Sequence, residues 1–390
     1  MKIKTIKSFV LKNKLSKELG YSQQYYQNRT AHLVRVETDE GIVGWGECFG
    51  PGNIAIANKH ILENVIAPMV IGENPINKEY IWQKVYNLLR DSGQKGMPIQ
   101  AISGLDIALW DILGKKSKLP LYQLVGGMCN EQVSVYGYGM MLQRKPLKEL
   151  IELFKEEAKI IKTKNFKAMK MKIGLGPKED LELVRAVRNV IGDDYKLMVD
   201  ANHAYNINDA LYVGRGLDEL KIHWFEEPIA PEDYKGYSEL KNKIDTNIAA
   251  GEAEFTKWGW NELIRSRCID IAQPEVCGLG GITEYLKIVA NCQANFLPVV
   301  NHVWGSAISV AVNLHLLTAM PDSPGGLFPQ KPMLEFDTTE ENIFISELSE
   351  EKFDIFDQVK NNNGFVKPLE GHGIGLNPSM DFIKKFEVTS

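Results

Sequence analysis

Four short runs decide the fold: KMKIG at 170–174, VDANHAY at 199–205, WFEEP at 224–228 and AGE at 250–252. Asp200, Glu226 and Glu252 follow one another at an equal interval of 26 residues, each close behind an apolar, strand-like run. An interval of that size accommodates one strand and one helix. When such units close into a barrel, the side chains at the C-terminal strand ends meet on one rim. The three carboxylates are therefore expected side by side, as a cation site.

Apolar strand candidates continue on both sides of these runs: VSVYGYG, FKAMKMKI, YKLMVDA, IHWFEEP, NIAAGE, IDIAQP, FLPVVNH and PMLEFD. Eight of them, separated by helical patterns, predict an α/β chain whose residues 126–355 form a modified TIM (β/α) barrel. An open doubly wound sheet would be expected to carry GxGxxG after its first strand, whereas GLGG at 278–281 follows the sixth. Residues 1–125 read as an α+β capping domain. Its period-two runs IKSFVL and TAHLVRVETDEGIVGWGECFG include an acidic-Gly turn at Asp39–Gly41, and a helical stripe runs through Ile99, Ile102, Leu105, Leu109, Ile112 and Leu113. The turn-rich tail, 356–390, is expected to pack back on the cap.

Between the first two cap strands lies GYSQQYYQNRT at 20–30, which has no apolar period. It predicts a functional loop closing over the barrel mouth. Tyr25, Tyr26 and Arg29 would there contact the far end of a substrate, with Arg29 able to grip a carboxylate at two points.

The formal net charge is −5 and the sequence pI about 5.9, so the basic footprint of a nucleic-acid binder is absent. No stretch approaches the roughly 20 apolar residues of a membrane span, and the alternating MKIKTIKSFVLKNK does not read as a signal peptide. Five cysteines, odd in number and without CxxC spacing, suit reduced thiols in the cytoplasm.

Asp200, Glu226 and Glu252 offer oxygen ligands alone, the donor set of a hard cation such as Mg2+. Lys170 and Lys172 lie two apart on one strand and point to the same side, with Met169 and Met171 opposite. Two ammonium groups near a divalent metal should disfavour each other, which predicts a lowered pKa for a lysine acting as base. His302 ends the seventh strand, and Asp270 near the sixth is the carboxylate expected to orient it. Glu335 ends the eighth strand, where it can meet a substrate carboxylate. Lys172 and His302 would face a bound carbon from opposite sides, which suits removal of a proton next to a carboxylate.

GWGECFGP, GLDIALWDILGK, KMKIG, VDANHAY, WFEEP, DIAQPEVCGLGGITE, HVWGSA and MLEFD together resemble the mandelate racemase subgroup of the enolase superfamily, over nearly the whole chain. The resemblance implies Mg2+ on Asp200, Glu226 and Glu252, Lys172 as one base and Lys170 on the substrate carboxylate. It further implies a His302 and Asp270 dyad as the second acid-base group, Glu335 on the carboxylate, and Asn202 as a substrate contact. The expected activity is α-proton abstraction from a small-molecule sugar acid or its lactone, followed by β-elimination in the manner of cycloisomerases and acid-sugar dehydratases. Racemisation or epimerisation by 1,1-proton transfer uses the same two bases and stays open. A non-catalytic sugar-acid binding protein would leave all of these rim groups idle. The expected assembly is a homo-oligomer, an octamer by resemblance. Ala253 after Glu252 and the 20–30 stretch depart from the family pattern, and both bear on substrate choice.

Overall fold

The computed structural model describes residues 1–323, 325–327, 329–339 and 341–388. The cap begins with an antiparallel three-stranded sheet, β1 (Ile3–Tyr21), β2 (Gln24–Thr38) and β3 (Val43–Cys48), in the order β1-β2-β3. The turn expected at Asp39–Gly41 joins β2 to β3, with Gly41 at φ +78°. The GYSQQYYQNRT stretch is not a loop. It is the end of the β1–β2 ribbon, with Tyr21 paired to Gln24 across a two-residue turn at Ser22 and Gln23. The ribbon outruns the cap core at this end, so its side chains need no apolar alternation, which is the signal the sequence reading relied on.

Behind the sheet lies helix Met97–Ser117, buried along most of its length. The GWG of the cap permits this: a Cβ on Gly44 would lie 2.2 Å from the Ala108 carbonyl oxygen, and one on Gly46 2.1 Å from that of Gly104. Any side chain there would push the helix off the strand.

The barrel strands are β4 (Val133–Tyr138), β5 (Ala168–Lys172), β6 (Lys196–Asp200), β7 (Trp224–Glu226), β8 (Asn247–Ala250), β9 (Ile271–Ala272) and β10 (Met333–Asp337). They pair in parallel in the order β10-β4-β5-β6-β7-β8-β9. The seventh expected strand, FLPVVNH, is reduced to one parallel bridge, Ala272 to Val299. Pro298 has no N–H to give a ladder, and it accepts Ala272 N–H at 2.9 Å instead. A short β11 (Phe365–Val366) pairs antiparallel with β4, so the curled sheet is mixed. Connecting helices are amphipathic: Leu147–Thr163 buries Leu150, Phe154, Ala158 and Ile161 at intervals of three or four residues. Inside, one residue from each of the eight strand positions forms a packed floor: Tyr136, Ala168, Met198, Trp224, Ala249, Ile271, Val300 and Met333.

Cap and barrel are joined by buried carboxylates that accept backbone N–H groups. Asp106 on the long cap helix accepts Thr283 N–H at 2.8 Å and the Thr283 hydroxyl at 2.6 Å, at the start of barrel helix Gly281–Ala294. Asp111 accepts Trp45 N–H and Ile374 N–H, both at 2.9 Å, tying the tail to the cap. The tail goes on to reach β1, where Leu11 bridges Glu387 and Val388 N–H donates to the Val10 carbonyl at 2.8 Å. No helix among the described residues is long and apolar enough to cross a membrane.

Candidate active site

Strand register accounts for the equal carboxylate spacing only in part. Lys172 pairs with Asp200 and Asp200 with Glu226, three adjacent strand ends at one level. The register partner of Glu226 on β8 is Ala249, so Glu252 stands three residues further on, beyond the end of the strand. It leans in from the following loop. One oxygen of each of Asp200, Glu226 and Glu252 lies within 4.8 Å of the others.

Two of the three ligand candidates are held by close donors. Glu226 is buried and accepts Lys170 Nζ at 2.6 Å on one oxygen, and Trp224 Nε1–H at 3.0 Å and Gln273 Nε2–H at 2.7 Å on the other. Asp200 accepts Lys172 Nζ and, at 2.9 Å, Asn202 N–H. Burial and the neighbouring Asp200 charge push the Glu226 pKa up, while the two lysines hold Asp200 low against the cost of its burial. Glu227, next in sequence and also buried, finds no hydrogen-bond donor for either oxygen among the described residues, and burial together with Glu252 raises its pKa well above the usual range. An all-oxygen donor set with carboxylate oxygens left over is a fit for Mg2+.

As alternation along β5 requires, Lys170 and Lys172 enter the mouth while Met169 and Met171 pack outward into the core. Lys170 bridges Glu226 and Glu335, each at 2.6 Å. Lys172 also donates to Asn202 Oδ1 at 2.8 Å. The expected lowering of the Lys172 pKa is not found in the protein alone. Burial and Lys170 do press it down, but Asp200, Glu252 and Glu226 together outweigh them and raise it.

On the opposite side, His302 is buried with Nε2 3.2 Å from Glu252 Oε2, an ionic contact off the hydrogen-bonding direction. Its Nδ1 lies 2.7 Å from Glu275 Oε2, and Glu275 is itself held by Cys277 N–H at 2.8 Å. Burial works against the imidazolium, yet Glu252 and Glu275 lift the His302 pKa to about 10. This corrects the Asp270 assignment. Asp270 precedes the two-residue strand β9, at the wrong end of the barrel, where it pairs with Lys241 at 2.8 Å and accepts Ile248 N–H. Glu275 follows β9 and points into the mouth. Glu335 accepts Val303 N–H at 2.8 Å beside Lys170.

The β1–β2 ribbon reaches this rim. Ser22 Oγ and Gln23 Nε2 each donate to the Asn202 carbonyl at 2.9 Å. Arg29 does not present a free guanidinium, contrary to its expected grip on a carboxylate. It is buried in an ion pair with Asp337, bonded to the Tyr138 hydroxyl at 3.0 Å and covered by the Trp304 ring at 4.3 Å. Tyr25 lies under Arg144, 4.2 Å from ring centre to guanidinium, whereas the buried Tyr26 hydroxyl lies beside Arg29. Glu275, Glu227, Trp224 and Gln273 went unassigned in the sequence. The signal for three of them was there, as polar letters within two residues of an expected strand end.

The chain matches two family models, the mandelate racemase / muconate lactonizing enzyme N-terminal domain over residues 7–126 and the enolase C-terminal domain-like family over 153–382. It is 34% identical to D-galactarolactone cycloisomerase of Agrobacterium fabrum over 390 residues, covering all of this chain and 99% of that one. Arabinonate dehydratase of Saccharolobus solfataricus is 38% identical over 288 residues, 74% of this chain and 76% of that protein. The crystal structure of 3,6-anhydro-D-galactonate cycloisomerase from Zobellia galactanivorans superposes with a TM-score of 0.87 at 35% identity, with both chains fully covered. With carboxylates at two adjacent strand ends and a third just beyond the next, flanked by a lysine strand and a histidine, the chain belongs to the enolase superfamily, in the mandelate racemase and muconate lactonizing enzyme group.

Proposed function

We propose that this chain removes the proton alpha to the carboxylate of a sugar acid or its lactone and completes a β-elimination, as a cycloisomerase or an acid-sugar dehydratase. The observation that carries this reading is the placement of Lys172 and His302 on opposite sides of one carboxylate triad, with His302 fixed by Glu275. The relatives named for cycloisomerase and dehydratase activity support it.

Asp200, Glu226 and Glu252 would hold Mg2+, which when bound supplies positive charge beside a carboxylate that becomes more negative as its α-proton leaves. Lys170, already between Glu226 and Glu335, adds a fixed positive charge on the same side. With Mg2+ on Asp200, the carboxylate that holds Lys172 protonated would be neutralised, and Lys172 Nζ, as the neutral amine, would take the proton from the α-carbon. The bond from the β-carbon to oxygen then breaks, and that oxygen takes a proton from His302 Nε2. Glu275, against Nδ1, favours the protonated imidazole that this step needs. The enol left behind becomes a 2-keto acid.

Wild-type protein with Mg2+, incubated in deuterated water with a panel of sugar acids and lactones, should lose the α-proton signal and form a 2-keto product by NMR. Deuterium at an inverted α-carbon without keto acid would mean 1,1-proton transfer. No exchange with any compound would remove the reaction class. The octamer implied by resemblance, and the cytoplasmic location supported by five free thiols, belong to the same reading. Light scattering checks the former.

A further inference from the structure

The far end of the substrate must be read by what the ribbon presents. The arginine near its turn is spent, because the Arg29 guanidinium is buried against Asp337, bonded to Tyr138 and capped by Trp304. Asp337 is in turn fixed by Asn342 Nδ2 at 2.9 Å and the Thr339 hydroxyl at 2.6 Å. A second carboxylate arriving here would meet an anion already paired, on a wall that also carries Glu335 and Glu252, and would gain no new cation. Arg144, over the Tyr25 ring, and two further exposed cations are also ion-paired. Arg144 is on Glu18 at 2.8 Å, Lys17 on Glu157 at 4.0 Å and Lys95 on Glu254 at 2.8 Å.

Neutral donors take the place that a cation would fill. The Tyr26 hydroxyl is buried beside the Arg29 guanidinium but in no well-formed hydrogen bond among the described residues, and Asp337 and Lys172 are its other electrostatic neighbours. The Tyr21 hydroxyl accepts Gln24 Nε2–H at 2.9 Å and retains its own proton to donate. A buried hydroxyl without a well-formed hydrogen bond is costly, and a ligand oxygen at Tyr26 removes that cost.

We infer that the substrate is a monoanion, with a single carboxylate at the reacting end and an uncharged far end (a hydroxyl, a lactone carbonyl or an anhydro ring) hydrogen-bonded by Tyr26. Dianionic aldarates are disfavoured by Asp337. The inference rests on the proposed reaction for which end of the substrate reacts.

Two measurements separate it from that reaction. Six-carbon aldarates of the galacto and gluco series, their own 1,4-lactones and the matching aldonates are titrated calorimetrically into the Mg2+-loaded Lys172→Ala variant, which reads charge preference without turnover. The same compounds are then followed by α-proton exchange with wild type. The best lactone or aldonate should bind at least tenfold more tightly than any aldarate. Tyr26→Phe should raise KM for that monoanion by 10- to 100-fold with kcat changed much less and Mg2+ affinity unchanged. Asp337→Asn should narrow the gap between aldarate and monoanion. Aldarates binding as tightly as their lactones, or neither class binding, would overturn the inference. A monoanion preference without α-proton exchange would uphold it while removing the proposed reaction.

Discussion

Glu47 on β3 of the cap ends on Ser306 of the barrel, accepting the Ser306 N–H at 2.9 Å and the Ser306 hydroxyl at 2.7 Å. Ser309 N–H adds a third bond at 3.0 Å. Ser306 is the N-cap of helix Ala307–Ala319, so a carboxylate of one domain completes the helix start of the other. Replacing it with Ala strips these donors of their acceptor inside the protein. Glu47→Ala should cost about 2–4 kcal/mol of stability, read as a lowered midpoint in urea.

The same residue gives a pH dependence of definite sign. Burial outweighs the bonds from Ser306 and Ser309 and lifts the Glu47 pKa from 4.5 to about 7. A group with its folded pKa raised contributes stability below its unfolded value and loses it as pH rises through the folded one. A shift of that size corresponds to about 3 kcal/mol, lost between pH ~4.5 and a little above 7. Glu47→Gln cannot ionise, so its melting temperature should improve relative to wild type between pH 5 and 8.5 in scanning calorimetry. A deficit that grows with pH would mean that the ionised carboxylate is the better-solvated form in this site.

Glu226→Gln should weaken Mg2+ binding by at least 100-fold in calorimetric titration, because one of three charged ligands becomes neutral while its supports remain. Gln273→Met removes only the 2.7 Å donor that orients Glu226, and a loss of about tenfold is expected. Wild-type affinity in Glu226→Gln would take the residue out of the metal site.

The two bases separate by isotope. His302→Asn should still exchange the α-proton in deuterated water while forming no keto acid, and Lys172→Ala should do neither. The reverse pattern would make His302 the initiating base.

Glu275→Gln, which weakens the charge beside His302 Nδ1, should lower kcat by about 100-fold and shift the basic limb of the pH profile to lower pH. Asp270→Asn touches only Lys241 and the Ile248 N–H, and kcat should stay within about threefold of wild type. Equal losses in the two variants would count against Glu275 as the orienting group.

What was legible in the sequence was whatever strand periodicity alone controls. Lys170 and Lys172 share a face because alternation puts them there, and Asp200 and Glu226 are neighbours because one strand-helix unit separates them. Asp270 and Glu275 fall on opposite ends of a strand only two residues long. Nothing in IDIAQPE marks where so short a strand begins. Arg29 looked free because its partner, Asp337, is 308 residues away, and charge pairing at that range has no local signature. The ribbon was missed because strands beyond the edge of a core need not alternate.

The strand that carries Tyr21 toward the mouth is also the strand on which Glu387 and Val388 dock, 376 positions beyond Leu11. During synthesis the entire barrel sequence therefore emerges before that edge of the cap is covered. The exposed edge of β1 is open to pairing with other chains throughout this interval. A chain cut short before Glu387 would therefore keep Lys172, Asp200, Glu226, Glu252 and His302 while leaving the backbone groups of Val10 and Leu11 open on the β1 edge.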